Sequence, residues 1–260
     1  MPTAHNPTDD VAISYETRGD GRPLMLIHGT ALTRAIWRST GYVRALQDEF
    51  CTILVDLRGH GRSDKPHEPE AYAMDHVVGD LVAVLDDLAL GHVEVFGYSF
   101  GARAALALAI EEPSRVASIV LGGGSHRHRD GVYDKLFFPG CVEVLETEGW
   151  DGFLARWEER SRAPLGSATK AVFRANDPAA IVAYFHETEA MPSIDDDVLR
   201  GLHLPALLFA GSDDRVRLED SRAAADLIEG AQFHVVEGGD HGTTLMMRDE
   251  VLAFVGPFLR

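Results

Sequence analysis

The sequence predicts an α/β protein with a mostly parallel central sheet flanked by helices and an inserted helical lid. Three observations carry this expectation. Short β-rich runs alternate with longer helical patterns through both ends of the chain, the signature of strand-helix-strand units. Most of those runs are apolar at successive positions, as strands covered on both faces require. Over about residues 126–202 the alternation gives way to amphipathic helical stretches scattered with aromatics.

The elements follow in order. Ala12–Thr17 alternates as an edge strand should, and Leu24–His28 and Thr52–Asp56 read as buried strands. Met74–Leu88 reads as a helix with Val77, Val78, Leu81, Val84 and Leu85 on a broad apolar face and Asp80, Asp86 and Asp87 elsewhere. Val93–Gly97 is the next strand, and the helix after it runs to Glu112; its Ala102, Ala104 and Ala105 let it lie close on a sheet. Val116–Leu121, Ala206–Ala210 and Gln232–Val236 complete the series of strands. The lid holds Phe137, Phe138, Trp150, Phe153, Trp157, Phe173, Tyr184 and Phe185. Aromatics at helical spacing pack a small core or cap a site; Phe137, Phe138 and Trp157 are the candidate pocket residues. A chain of 260 residues forms one domain at this size, with core segments 1–125 and 203–260.

Composition narrows the function. At 45% hydrophobic and 25% charged residues the chain is neither disordered nor a membrane span. Its amino terminus has no basic start and no apolar stretch, so the expectation is a cytoplasmic protein. Cys51 and Cys141 lie far apart, which suggests neither a disulfide framework nor a zinc site; Cys51 reads as a small buried hydrophobe. A formal net charge of -17, from 41 acids against 24 bases, repels polyanions, so neither nucleic acid nor an anionic membrane is an expected partner. A small anionic substrate is still open to it.

Gly97-Tyr98-Ser99-Phe100-Gly101 matches Gly-x-Ser-x-Gly, in which the glycines allow a sharp strand-to-helix turn that exposes the serine. A strand leads directly in and a helix directly out, the context such a turn needs. A serine hydroxyl needs a base within hydrogen-bond reach, and the base needs a third group to orient it. His241 in Gly238-Gly239-Asp240-His241-Gly242 follows the last strand, and Gly211-Ser212-Asp213-Asp214 follows the one before. The order Ser, Asp, His results, with Asp213, Asp214 or Asp240 as the acid.

Four segments together resemble the α/β-hydrolase superfamily over nearly the whole chain. Leu26-Ile27-His28-Gly29-Thr30 looks like its oxyanion loop, and Asp56-Leu57-Arg58-Gly59-His60-Gly61-Arg62-Ser63 is similar to a characteristic loop after the next strand. The serine turn and the Gly-x-x-Asp…His pair are the other two. The resemblance implies Asp214, three residues past Gly211, as the acid. It implies the backbone N–H groups of Thr30 and Phe100 as oxyanion donors, Trp37 as a pocket aromatic, and His28 as a loop brace; His60 sits in a glycine turn. The implied activity is cleavage of a carboxylic ester or lactone of a small-molecule, partly apolar substrate through an acyl-enzyme on Ser99, with no metal and no organic cofactor. Three rivals share the pattern: a carbon–carbon bond hydrolase, a lyase or perhydrolase using the same three residues, and a non-catalytic small-molecule receptor. The basic run His126-Arg127-His128-Arg129 is expected to be solvated, with a grip on a substrate carboxylate as the alternative.

Overall fold

The computed structural model describes residues 2–161 and 164–260. Eight strands form the sheet: β1 (Thr3–His5), β2 (Ala12–Arg18), β3 (Arg22–Ile27), β4 (Phe50–Val55), β5 (Val93–Tyr98), β6 (Val116–Gly122), β7 (Ala206–Gly211) and β8 (Gln232–Val236). Their spatial order is β1-β2-β4-β3-β5-β6-β7-β8. The β1–β2 and β2–β4 pairs are antiparallel and all others parallel. Eleven α-helices accompany them among the described residues. On the near side of the insertion are α1 (Ala35–Ser39), α2 (Tyr42–Leu46), α3 (Met74–Asp87) and α4 (Phe100–Glu111). Between β6 and β7 lie α5 (Val132–Leu136), α6 (Cys141–Ser161), α7 (Ser167–Arg174), α8 (Pro178–Ala190) and α9 (Asp196–Arg200); α10 (Arg215–Leu227) and α11 (Arg248–Leu259) close the chain.

Alternation within each strand divides the core in two, because successive side chains point to opposite faces. Met25, Ile27, Ile53, Val55 and Val95 join α3, α4 and α10 on one face. Leu24, Leu26, Leu54, Phe96 and Phe209 join α1, α2 and α11 on the other. The insertion has a third core of its own, built on Phe137, Phe138, Phe153, Phe173, Tyr184 and Phe185.

Three expectations change. Ala12–Thr17 is not an edge, because β1 pairs outside it; three residues are too few to show a period. Asp80 is not on a solvated face but fully buried in α3, where Arg58 Nε donates to it at 2.7 Å and Asn6 Nδ2 at 2.8 Å. Burial, with a smaller push from the charge of Asp9, raises the Asp80 carboxyl against the pull of Arg58 and Asn6. Cys51 is half-buried rather than buried.

The four segments singled out in the sequence occupy loops at the carboxyl ends of parallel strands, β3, β4, β5, β7 and β8. In open α/β sheets that is the edge at which ligands bind.

Candidate active site

The turn between β5 and α4 holds Ser99 at φ 57° and ψ −118°, a left-handed conformation that an L-residue keeps only when its surroundings force it. Two glycines do the forcing. A Cβ on Gly97 would lie 2.0 Å from the Gly101 carbonyl oxygen, and one on Gly101 would lie 2.2 Å from that of Ile27. The helix therefore starts directly against the sheet, and the Ser99 N–H is held by the Gly122 carbonyl at 2.7 Å.

Loops from three strands then converge on the serine. Ser99 Oγ lies 2.9 Å from His241 Nε2, and His241 Nδ1 lies 2.6 Å from Asp214 Oδ2. Tyr98 Oη donates to the His241 carbonyl at 2.7 Å and so fixes the loop that carries the imidazole. Asp213 takes no part: its carboxylate faces Ser212. Asp240 caps its own loop, accepting from the N–H groups of Gly242 and Thr243.

Gly29 lies against Ser99, so that a Cβ there would meet the serine Cβ at 3.0 Å. Thr30 follows it, and among the described residues neither the Thr30 nor the Phe100 N–H has a protein acceptor. Two buried histidines brace this loop. His28 Nε2 accepts from the Leu57 N–H at 3.1 Å, and His60 Nε2 accepts from the Ala31 N–H at 3.1 Å. Each directs Nδ1 at a backbone carbonyl, the arrangement of a neutral ring with its proton on Nδ1. Burial pulls His28 down to about 4 and His60 down to about 3, which keeps both rings neutral. The insertion adds two further contacts: Asn176 Nδ2 donates to the Ala31 carbonyl at 2.8 Å, and Tyr184 Oη lies 2.8 Å from Thr30 Oγ1.

Above Ser99 opens a cleft of about 680 Å³ of free space, the solvent at its mouth included. Ser99, Thr30 and Phe100 lie on its floor, and Val132, Tyr133, Leu136 and Met191 give it an apolar wall. Trp37, Phe137, Phe138 and Trp157 are not among its lining residues. Trp37 is fully buried beneath the sheet, with its ring centroid 4.9 Å from that of Phe96 and 5.4 Å from that of Tyr42. Phe137 and Phe138 are buried in the core of the insertion, with Trp157 packed against it. Spacing identified these residues as aromatic but could not tell which way they face.

The basic run is not simply solvated. Arg127, His128 and Arg129 line the cleft, joined by Arg103 and Arg217, which the sequence reading missed. A signal was there: Arg103 stands four residues past Ser99 in an alanine-rich helix, and Arg217 three past Asp214. His126 is buried, with Nε2 3.2 Å from Asp196. Among the described residues no three or more His, Cys, Asp or Glu side chains converge as a metal ion would require, and no helix is long and apolar enough to cross a membrane.

Comparison with known proteins places this geometry. The chain is 30% identical to a 2-hydroxy-6-oxo-2,4-heptadienoate hydrolase of Pseudomonas putida, over 93% of its own length and 90% of the relative's. A carboxylesterase structure from the ammonia-oxidising thaumarchaeon Nitrososphaera gargenis superposes with a TM-score of 0.84 at 24% identity, covering 99% of this chain and 97% of the other. The esterase RhEst1 of Rhodococcus sp. ECU1013 gives 0.81 at 25% identity, covering 99% and 98%. Residues 22–139 match the family model described as alpha/beta hydrolase fold. With its strand order, its serine turn and these relatives in agreement, the chain belongs to the α/β-hydrolase superfamily.

Proposed function

We propose that this hydrolase-family enzyme cleaves a carboxylic ester or lactone of a small, partly apolar substrate through an acyl-enzyme on Ser99. The observation that carries the reading is the unbroken chain of hydrogen bonds from Ser99 Oγ through His241 to Asp214. Ser99 attacks the carbonyl carbon while His241 Nε2 takes the hydroxyl proton, and Asp214 holds the ring and stabilises the imidazolium. The charge that develops on the carbonyl oxygen meets the N–H groups of Thr30 and Phe100; in other enzymes one such donor is worth about 3 kcal/mol of barrier. His241 returns the proton to the leaving alcohol, then activates a water that releases the acid and regenerates Ser99. This sequence calls for no metal or organic cofactor.

The test is labelling by a fluorophosphonate, read by intact mass, beside hydrolysis of a short-chain p-nitrophenyl ester by the wild type and Ser99→Ala. Single labelling and turnover, both lost in the variant, are the expected result. An unlabelled wild type would sink the acyl-enzyme reading.

A second reading is favoured by one finding, the 30% identity to a hydrolase whose name specifies 2-hydroxy-6-oxo-2,4-heptadienoate. In that reading the same three residues hydrolyse a carbon–carbon bond. Against it, His28-Gly29-Thr30-Ala31-Leu32-Thr33 lacks the extra glycine and proline common in such enzymes. Assay of that dienoate beside the esters separates the two.

A further inference from the structure

We propose that the cleft recognises substrates bearing a carboxylate away from the scissile bond, held by a cluster of guanidinium groups from Arg103, Arg127 and Arg217. This deepens the serine-hydrolase reading by naming its substrate class, and rests on that reading for the cleavage step.

The cluster is assembled from three separate segments. Arg103 comes from the first turns of α4, Arg127 and Arg129 from the loop after β6, and Arg217 from the first turn of α10. All four line the cleft that contains Ser99, and among the described residues no aspartate or glutamate does. That distribution runs against the chain as a whole, which carries a net charge of -17. A cleft lined by one sign of charge between low-dielectric walls concentrates the opposite ion.

One carboxylate stands behind the arginines, and it is already taken. Asp220 is fully buried and forms a two-pronged pair with Arg129, whose Nε lies at 2.9 Å. Ser125 Oγ donates to it at 2.8 Å, and Arg217 reaches it only at 3.9 Å. Burial would raise Asp220, but Arg129, Ser125 and Arg217 together hold its carboxyl below the usual range. Asp214 is engaged by His241. Arg129 is thus neutralised, and Asp220 fixes the wall in place.

Beyond Arg217's long contact with Asp220, Arg103 and Arg127 have no carboxylate partner among the described residues. Arg103 donates to the carbonyls of Ser125 at 3.2 Å and Pro192 at 2.6 Å, neither of which carries a charge. Burial, then the proximity of Arg217, pulls Arg103 down to about 10, still protonated at neutral pH. The exposed Arg127 has no side-chain partner among the described residues. His128 faces the exposed Asp130 at 2.8 Å. Like charges gathered in a half-buried site repel one another, and a carboxylate, which matches the guanidinium fork, relieves that repulsion. The apolar wall of Val132, Leu136 and Met191 would cover the hydrocarbon that joins this carboxylate to the ester.

Calorimetric titration of the Ser99→Ala protein tests this without relying on turnover. The probes are monoethyl adipate and 4-acetoxybutanoate, which carry the carboxylate on the acyl and alcohol sides, each beside its neutral primary amide. At least tenfold tighter binding of one or both anions than of the matching amide is expected, weakening as salt rises. Adding Arg127→Gln or Arg217→Gln should cut that preference at least fivefold. Because Arg127 is exposed, Arg127→Gln keeps the test decisive even if Arg217→Gln misfolds. Equal affinities in both pairs, no binding of either anion at millimolar concentration, or a preference that survives both substitutions would overturn the proposal. Should the anion preference hold while the wild type neither turns over esters nor takes the label, the serine reading fails alone.

Discussion

His241 spans two hydrogen bonds, to Ser99 Oγ and to Asp214 Oδ2, so each partner has a separable effect. Asp214→Asn keeps the shape but allows the imidazole to settle in the wrong tautomer. A drop in kcat of about 10³- to 10⁴-fold with little change in KM is expected from steady-state ester hydrolysis. Trp37 makes the opposite case. Its ring is buried against Phe96 and Tyr42, outside the cleft. Trp37→Phe should cost about 1–3 kcal/mol of stability in urea unfolding, through the cavity it leaves, with KM unmoved; a shifted KM would return Trp37 to the pocket.

At the scale of elements, the site depends on how closely α4 approaches the strands beneath it. Gly101 sits where any Cβ would meet the Ile27 carbonyl at 2.2 Å. Gly101→Ala must lift the helix, and with it the serine turn, so a lower melting temperature and lost fluorophosphonate labelling are expected together. Unchanged labelling would show that the turn tolerates the shift. The insertion is tied to the same region by Tyr184, which contacts Thr30 through its hydroxyl and sets its ring 5.0 Å from that of Phe100. Tyr184→Phe removes one hydrogen bond, worth about 1 kcal/mol. A several-fold fall in kcat/KM measured on a short-chain ester is the expected outcome, with the apolar packing of α8 retained.

The whole molecule should lose stability as pH falls from neutral. His28 and His60 are buried neutral, with folded values of about 4 and about 3 against an ordinary 6.5. Unfolding lets both take up protons below pH 6.5, so the stabilisation is complete above that value and is lost as pH drops toward the folded values. Together they remove about 4 kcal/mol between pH 7 and pH 5. Asp9, Glu16 and Asp220, whose carboxyls are held low by arginines against the opposing effect of burial, act in the same direction at lower pH. Urea unfolding at pH 7, 6 and 5 measures the slope, and His60→Gln should flatten it. A flat profile in the unsubstituted protein would contradict the neutral, buried rings.

Much of this was legible in the amino-acid order. Strands β3 to β8 were readable because each is a short apolar run bounded by turn residues, and the Gly97–Gly101 motif needed only its flanks to be placed on a strand-to-helix turn. Ser99 and His241 followed from chain order and local glycines, since backbone constraint is a local property that sequence records directly; chain order left Asp213, Asp214 and Asp240 open as the acid, and only the family resemblance pointed to Asp214. Tertiary structure alone decided what faces what. It buried Asp80 against Arg58, carried Trp37 beneath the sheet, and drew Arg103, Arg127 and Arg217 into one cleft from three segments of the chain that lie far apart in sequence. Periodicity tells which side of an element is apolar, but the partner of a charged or aromatic side chain is chosen by packing between distant segments, and no local pattern encodes it.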